Sequence, residues 1–118
     1  MENNSTIDST TAVTLAENRL LNAIYLDPNL LDSPDYSESV FVHTFCKTIA
    51  GAIDEMSRNG SPINSLSLYN ETSKRDMSIT KEIIDAVIGI NTEPVTYIKD
   101  ITDFLKSVNR SIAALNHI

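Results

Sequence analysis

Four prolines, Pro28, Pro34, Pro62 and Pro94, divide this 118-residue chain into stretches where apolar residues recur every three to four positions. Proline lacks a backbone N–H and pushes the preceding residue out of helical geometry, so each one closes a helix or opens the next. The periodicity between them is that of helices with one buried face. Three glycines in the whole chain leave little material for a turn-rich β-sandwich.

Residues 1–12 are polar and aperiodic apart from Ile7, and they are expected to form a disordered tail before a helical domain over 13–118. Thr14 with Glu17 three residues on matches a capping box and places the first helix start there. Leu20, Leu21, Ile24 and Tyr25 continue that helix, with Leu15 or Ala16 a turn earlier, and Asp27-Pro28 ends it. Asn29 to Asp32 suits one further turn, and Ser33-Pro34-Asp35 a loop. A second helix is expected from about Ser39 to Asn59, with Val42, Phe45, Ile49, Ile53 and Met56 on its apolar face. Asp54 and Arg58 form a possible i,i+4 pair on it. Gly60 suits a left-handed stop, and Pro62 prevents resumption. Residues 63–69 fit a short helix capped by Asn64, and 70–78 a polar loop. Thr80 caps a helix carrying Ile83, Ile84, Val87 and Ile88, closed by Gly89. A last helix is expected from Pro94 to the end of the sequence. The fold class is therefore all-α, a compact bundle of about five or six helices.

The chemistry on offer is sparse. No phosphate-binding GxxxxGK[ST] loop, GxSxG, HExxH or CxxC occurs. His43 and Cys46 share an HxxC spacing, but Cys46 falls on an apolar face and reads as a small hydrophobe. No catalytic residue, metal ligand or cofactor contact is assigned in this chain. Asp27, Asp32, Asp35 and Glu38 lack the spacing and central glycine of a calcium loop and read as a solvated acidic loop, or a patch for a basic partner. The net charge of −7 is concentrated early, since residues 1–40 carry seven acids against one base, Arg19. Only Lys74 and Arg75 are adjacent bases, so little direct DNA binding is expected. With no signal-peptide pattern and no apolar run near the ~20 residues that span a bilayer, a cytoplasmic location is expected.

The last helix carries the most distinctive pattern. Ile98, Ile101, Phe104, Leu105, Val108, Ile112 and Leu115 form a continuous apolar stripe that reaches the end without a cap. Part of it serves the domain's own core. Ile101, Leu105, Val108, Ile112 and Leu115 are the candidate assembly or partner interface, because apolar positions at an open end need cover. The uncapped end suggests a helix that continues in a longer protein.

Several motifs occur together in order. Ala16-Glu17, Leu20-Leu21 and Leu26-Asp27-Pro28 resemble the opening of the N-terminal domain of DnaB-type replicative DNA helicases. Gly60-Ser61-Pro62-Ile63-Asn64 is similar to that family's G-x-P-I-D, and Asn91-Thr92-Glu93-Pro94 with Tyr97 to its N-T-P segment and following tyrosine. The resemblance spans about residues 14–110. The chain departs from the pattern at Asn22, Val42, Cys46 and Asn64, where glycine, tyrosine, histidine and aspartate are usual, which suggests a divergent member from a phage or mobile element.

That resemblance implies a helical head whose last helix starts a hairpin. Paired hairpins would form dimers, and three dimers a collar above a hexameric motor. The collar would dock the primase C-terminal domain and, in some systems, a loader. ATP and magnesium would belong to a motor domain downstream. Two alternatives stand beside it: a stand-alone regulator that mimics the collar and binds a host helicase or loader, and the helicase-binding C-terminal domain of a primase.

Overall fold

A computed structural model describes the backbone of residues 2–89 and 98–116, and side chains over 12–89 and 98–113. Within those residues the protein is an all-α bundle of five helices with no strand. They are α1 (Glu2–Leu26), α2 (Thr44–Arg58), α3 (Ser65–Arg75), α4 (Lys81–Ile88) and α5 (Lys99–Asn116), with short 3₁₀ turns at Pro28–Asp32 and Glu38–Val40. Helix α1 is the central strut and packs against α2, α4 and α5, while α3 bridges α2 and α4.

The core lies where these helices converge. Leu20, Leu21 and Ile24 of α1 meet Ile49 and Ile53 of α2, Leu68 of α3, Ile84 of α4 and Leu105 of α5, all fully buried. Phe41, between the second 3₁₀ turn and α2, is also fully buried and meets Tyr36 edge-on, with ring centroids 6.5 Å apart. Two amides tie elements distant in sequence. Asn22 Nδ2 donates to Ile88 O at the end of α4 (2.9 Å), and Asn109 Nδ2 donates to Val40 O (2.8 Å).

Several local signals act as the sequence predicts. Gly60 adopts φ 69°, the left-handed geometry glycine takes at least cost, and Ser61 N donates to Met56 O. Asn64 and Ser67 form a reciprocal capping box at the start of α3. Thr80 Oγ1 accepts from Ile83 N, and Ile79 and Ile84 on either side of it are both buried. Asp27 caps the 3₁₀ turn that buries Leu31. Asp54 and Arg58 pair at 2.8 Å.

Other boundaries differ. Helical backbone begins at Glu2, so α1 runs through the segment expected to be a disordered tail and through Thr14, where a cap was expected. Extending an existing helix costs far less than nucleating one, so polar residues join a helix anchored by Leu20, Leu21 and Ile24. The helix expected from Ser39 to Asn59 is split, with extended backbone at Phe41 and His43 between the 3₁₀ turn and α2. Helix α3 runs on to Arg75, through residues expected to be a loop. There Thr72 is buried with its hydroxyl on Leu68 O (2.6 Å), and Arg75 pairs with Glu55 of α2. Pro94 and Tyr97, expected at the opening of the last helix, lie outside the described residues, and α5 is described from Lys99.

Candidate functional site

The stripe on α5 divides between the interior and the surface. Leu105 is fully buried in the core and is not available to a partner, which corrects its assignment to an interface. Ile101 and Val108 are half-buried, and Ile112 is 39% exposed. The side chain of Leu115 lies outside the described residues. Phe104, one turn before Val108, is also 39% exposed. The face left open therefore contains Ile101, Phe104 and Ile112, flanked by Val108.

A second element completes that face. Ala12, Leu15, Ala16 and Arg19 of α1 line one wall of a shallow groove of about 350 Å³, and Asp100, Ile101 and Phe104 of α5 line the other. Leu15 is 53% exposed although it shares a helix with fully buried leucines. The reason is geometric: Leu15 lies nine residues before Ile24, and at 3.6 residues per turn the two point to opposite sides. In sequence, Leu15 is one of two candidates, with Ala16, for the apolar turn that precedes Leu20. Its phase relative to Leu20, Leu21 and Ile24 was the available signal that it belongs elsewhere.

The other built feature is a buried carboxylate. Glu17, 1% exposed, accepts hydrogen bonds from the backbone N–H groups of Val42 (2.7 Å) and His43 (3.0 Å). Its second oxygen lies 2.5 Å from His43 Nδ1. Glu17 thus holds the two amides that lead into α2, and it does not close a capping box with Thr14. This explains the break before α2, because the N–H groups of residues 42 and 43 go to a side chain from α1 rather than to a preceding turn. The imidazole itself is part-exposed and lies against the Phe45 ring, centroids 5.9 Å apart.

Glu17, His43 and Cys46 superficially suggest a thiol–imidazole–carboxylate arrangement. Their environment opposes that chemistry. Cys46 is 1% exposed, and burial, reinforced by the negative charge of Glu17, pushes its thiol well above the usual range. A nucleophilic cysteine needs the reverse, a stabilised thiolate within reach of substrate. Cys46 packs as a small core residue.

Two of the four acids in the acidic stretch have structural contacts. Asp27 accepts from Asn29 N, and the Glu38 carboxylate lies beside Gly51 of α2, where Arg75 also reaches. Burial, then the charges of Glu38 and Asp54, raises the Tyr36 phenol. Among the described residues, no group of three or more His, Cys, Asp or Glu is placed to hold a metal ion, and no helix is long and apolar enough to cross a membrane.

Compared with known protein families, with curated proteins and with solved structures, the chain shows no match.

Proposed function

We propose that this chain is the non-catalytic N-terminal domain of a DnaB-type replicative helicase, contributing to collar assembly and to docking of the primase C-terminal domain or a loader. The observation that carries this reading is the half-covered apolar face of α5, with Phe104 and Ile112 each 39% exposed on a helix whose Leu105 is fully buried. A partly open apolar face of this kind offers surface that a protein partner can cover. Two of the sequence motifs support it by their positions at element boundaries. Leu26-Asp27-Pro28 closes α1 and Gly60-Ser61-Pro62-Ile63-Asn64 connects α2 to α3, whereas the third motif lies outside the described residues. The apolar lining of the groove and the buried thiol favour binding over catalysis.

The test is capture of the cognate primase C-terminal domain by the full chain, with Ile112→Asp as the control for the exposed face. Saturable binding that this substitution weakens supports the reading. Binding to an intact helicase with no affinity for primase or for a loader overturns it in favour of a stand-alone regulator.

A further inference from the structure

The groove between α1 and α5 carries a charge pattern that selects its occupant. Arg19 stands on the α1 wall and Asp100 on the α5 wall. Neither has an ion-pair partner among the described residues, a condition shared with Lys47, Lys106 and Arg110, whereas Lys81, Lys99, Arg58, Lys74 and Arg75 all have one. About one helical turn along each wall from its charge stands an exposed apolar side chain, Leu15 on α1 and Phe104 on α5. A rim of one sign would select a partner of the opposite sign. A rim with one base on one wall and one acid on the other complements itself.

We propose that the occupant is a second copy of this chain, docked about a two-fold axis running along the groove. Rotation about such an axis sets the α1 wall of one copy over the α5 wall of the other. Arg19 then faces Asp100 of the second copy, and the symmetry repeats the pair. Leu15 meets Phe104 across the axis, again twice, and the apolar surface on both walls leaves water. This deepens the assembly role proposed above by naming the faces that meet, and it rests on that role only in the choice of self-association.

The symmetry supplies a sharp test by sedimentation velocity on the full chain over a range of concentrations. The wild-type chain is expected to form a reversible dimer. Arg19→Glu alone sets two acids against each other at both contacts, and Asp100→Arg alone sets two bases against each other. Each is expected to weaken the dimer by roughly tenfold or more, since like charges in apposition are strongly unfavourable. An equimolar mixture of the two variants restores opposite signs at both contacts, so a mixed dimer of near wild-type strength is expected. Far-UV circular dichroism and melting confirm that each variant is folded, and Leu15→Ser, at an exposed position, weakens the dimer through a different contact. A mixture no stronger than its components overturns the pairing. A wild-type dimer indifferent to both reversals also overturns it, yet leaves the assembly role standing. A chain monomeric throughout overturns the groove dimer, and primase capture then decides the collar reading separately.

Discussion

Helices α2 and α5 look alike in sequence, each with an apolar stripe at three- to four-residue spacing, but the fold treats them differently. In α2 the stripe is enclosed: Cys46, Ile49, Ala50, Ala52, Ile53 and Met56 are all buried. In α5 Leu105 is enclosed, whereas Phe104 and Ile112 face outward and Ile101 is only half covered. The cause is the number of neighbours. Among the described residues, helix α2 is packed by α1, by α3 and by both 3₁₀ turns, whereas α5 rests on α1 and the second 3₁₀ turn. An amphipathic pattern therefore states how much apolar surface a helix must hide. It does not state whether the cover comes from the same chain.

The contrast can be broken most directly by truncating one residue on each helix. Ile53→Ala, fully buried in α2, is expected to cost about 2–5 kcal/mol of stability through lost burial and the cavity left behind. Ile112→Ala, at its exposed position on α5, is expected to cost under about 1 kcal/mol in dilute solution, as surface substitutions usually do. Urea unfolding of both variants compares them. Equal losses would mean that α5 is as enclosed as α2.

The next largest effect concerns the junction that starts α2. Glu17→Ala strips the Val42 and His43 amides of their acceptor, at an expected cost of about 2–4 kcal/mol. Amide exchange at residues 42 and 43 should accelerate by more than the loss of global stability explains. Exchange that merely follows global stability would show that Glu17 does not hold these amides.

A smaller effect appears at alkaline pH. The Cys46 thiol is raised above its ordinary value of 9.0, chiefly by burial, so the folded state disfavours the thiolate more than the unfolded state does. The resulting stability is complete below about pH 9 and declines as pH rises above it. Tyr36, raised by burial from an ordinary 10.0, adds to the decline at higher pH. Melting temperatures from pH 7 to 11 should fall less steeply for Cys46→Ala than for wild type, and parallel curves would rule out the thiol as a source. The smallest effect is at Arg58. Its i,i+4 partnership with Asp54 is part-exposed, and Arg58→Ala should change stability by only a few tenths of a kcal/mol in thermal melts.

What the sequence disclosed was mainly local. Gly60, the Asn64 cap, the Thr80 cap and the apolar face of Cys46, Ile49 and Ile53 were legible because each signal and its consequence lie within one or two helical turns. Glu17 was misread for the opposite reason. Thr14 and Glu17 have capping-box spacing, but the amides that Glu17 serves lie 25 and 26 residues away. The length of α3 was hidden in the same way, since the Arg75 partnership with Glu55 joins two helices. At the candidate site, the α5 stripe was legible, and its division between core and surface was not. That division depends on where α1 lies, and Leu15 shows that α1 itself has two apolar sides.

The packing of α1 against α5 also sets an order of events during folding. Helices α2, α3 and α4 pack in order, α2 on α3 and α3 on α4, so they can consolidate through short chain closures. The contact between the first and last helices requires the longest closure in the bundle, whose entropic cost precedes its reward. Leu105 should therefore join the interior after the rate-limiting barrier, and Ile53 before it. In a stopped-flow comparison, Leu105→Ala would then mainly accelerate unfolding, while Ile53→Ala would slow folding. Until that late step, the side of α1 that receives α5 faces solvent, making this seam the interval in which a nascent chain is most open to mispairing with its neighbours.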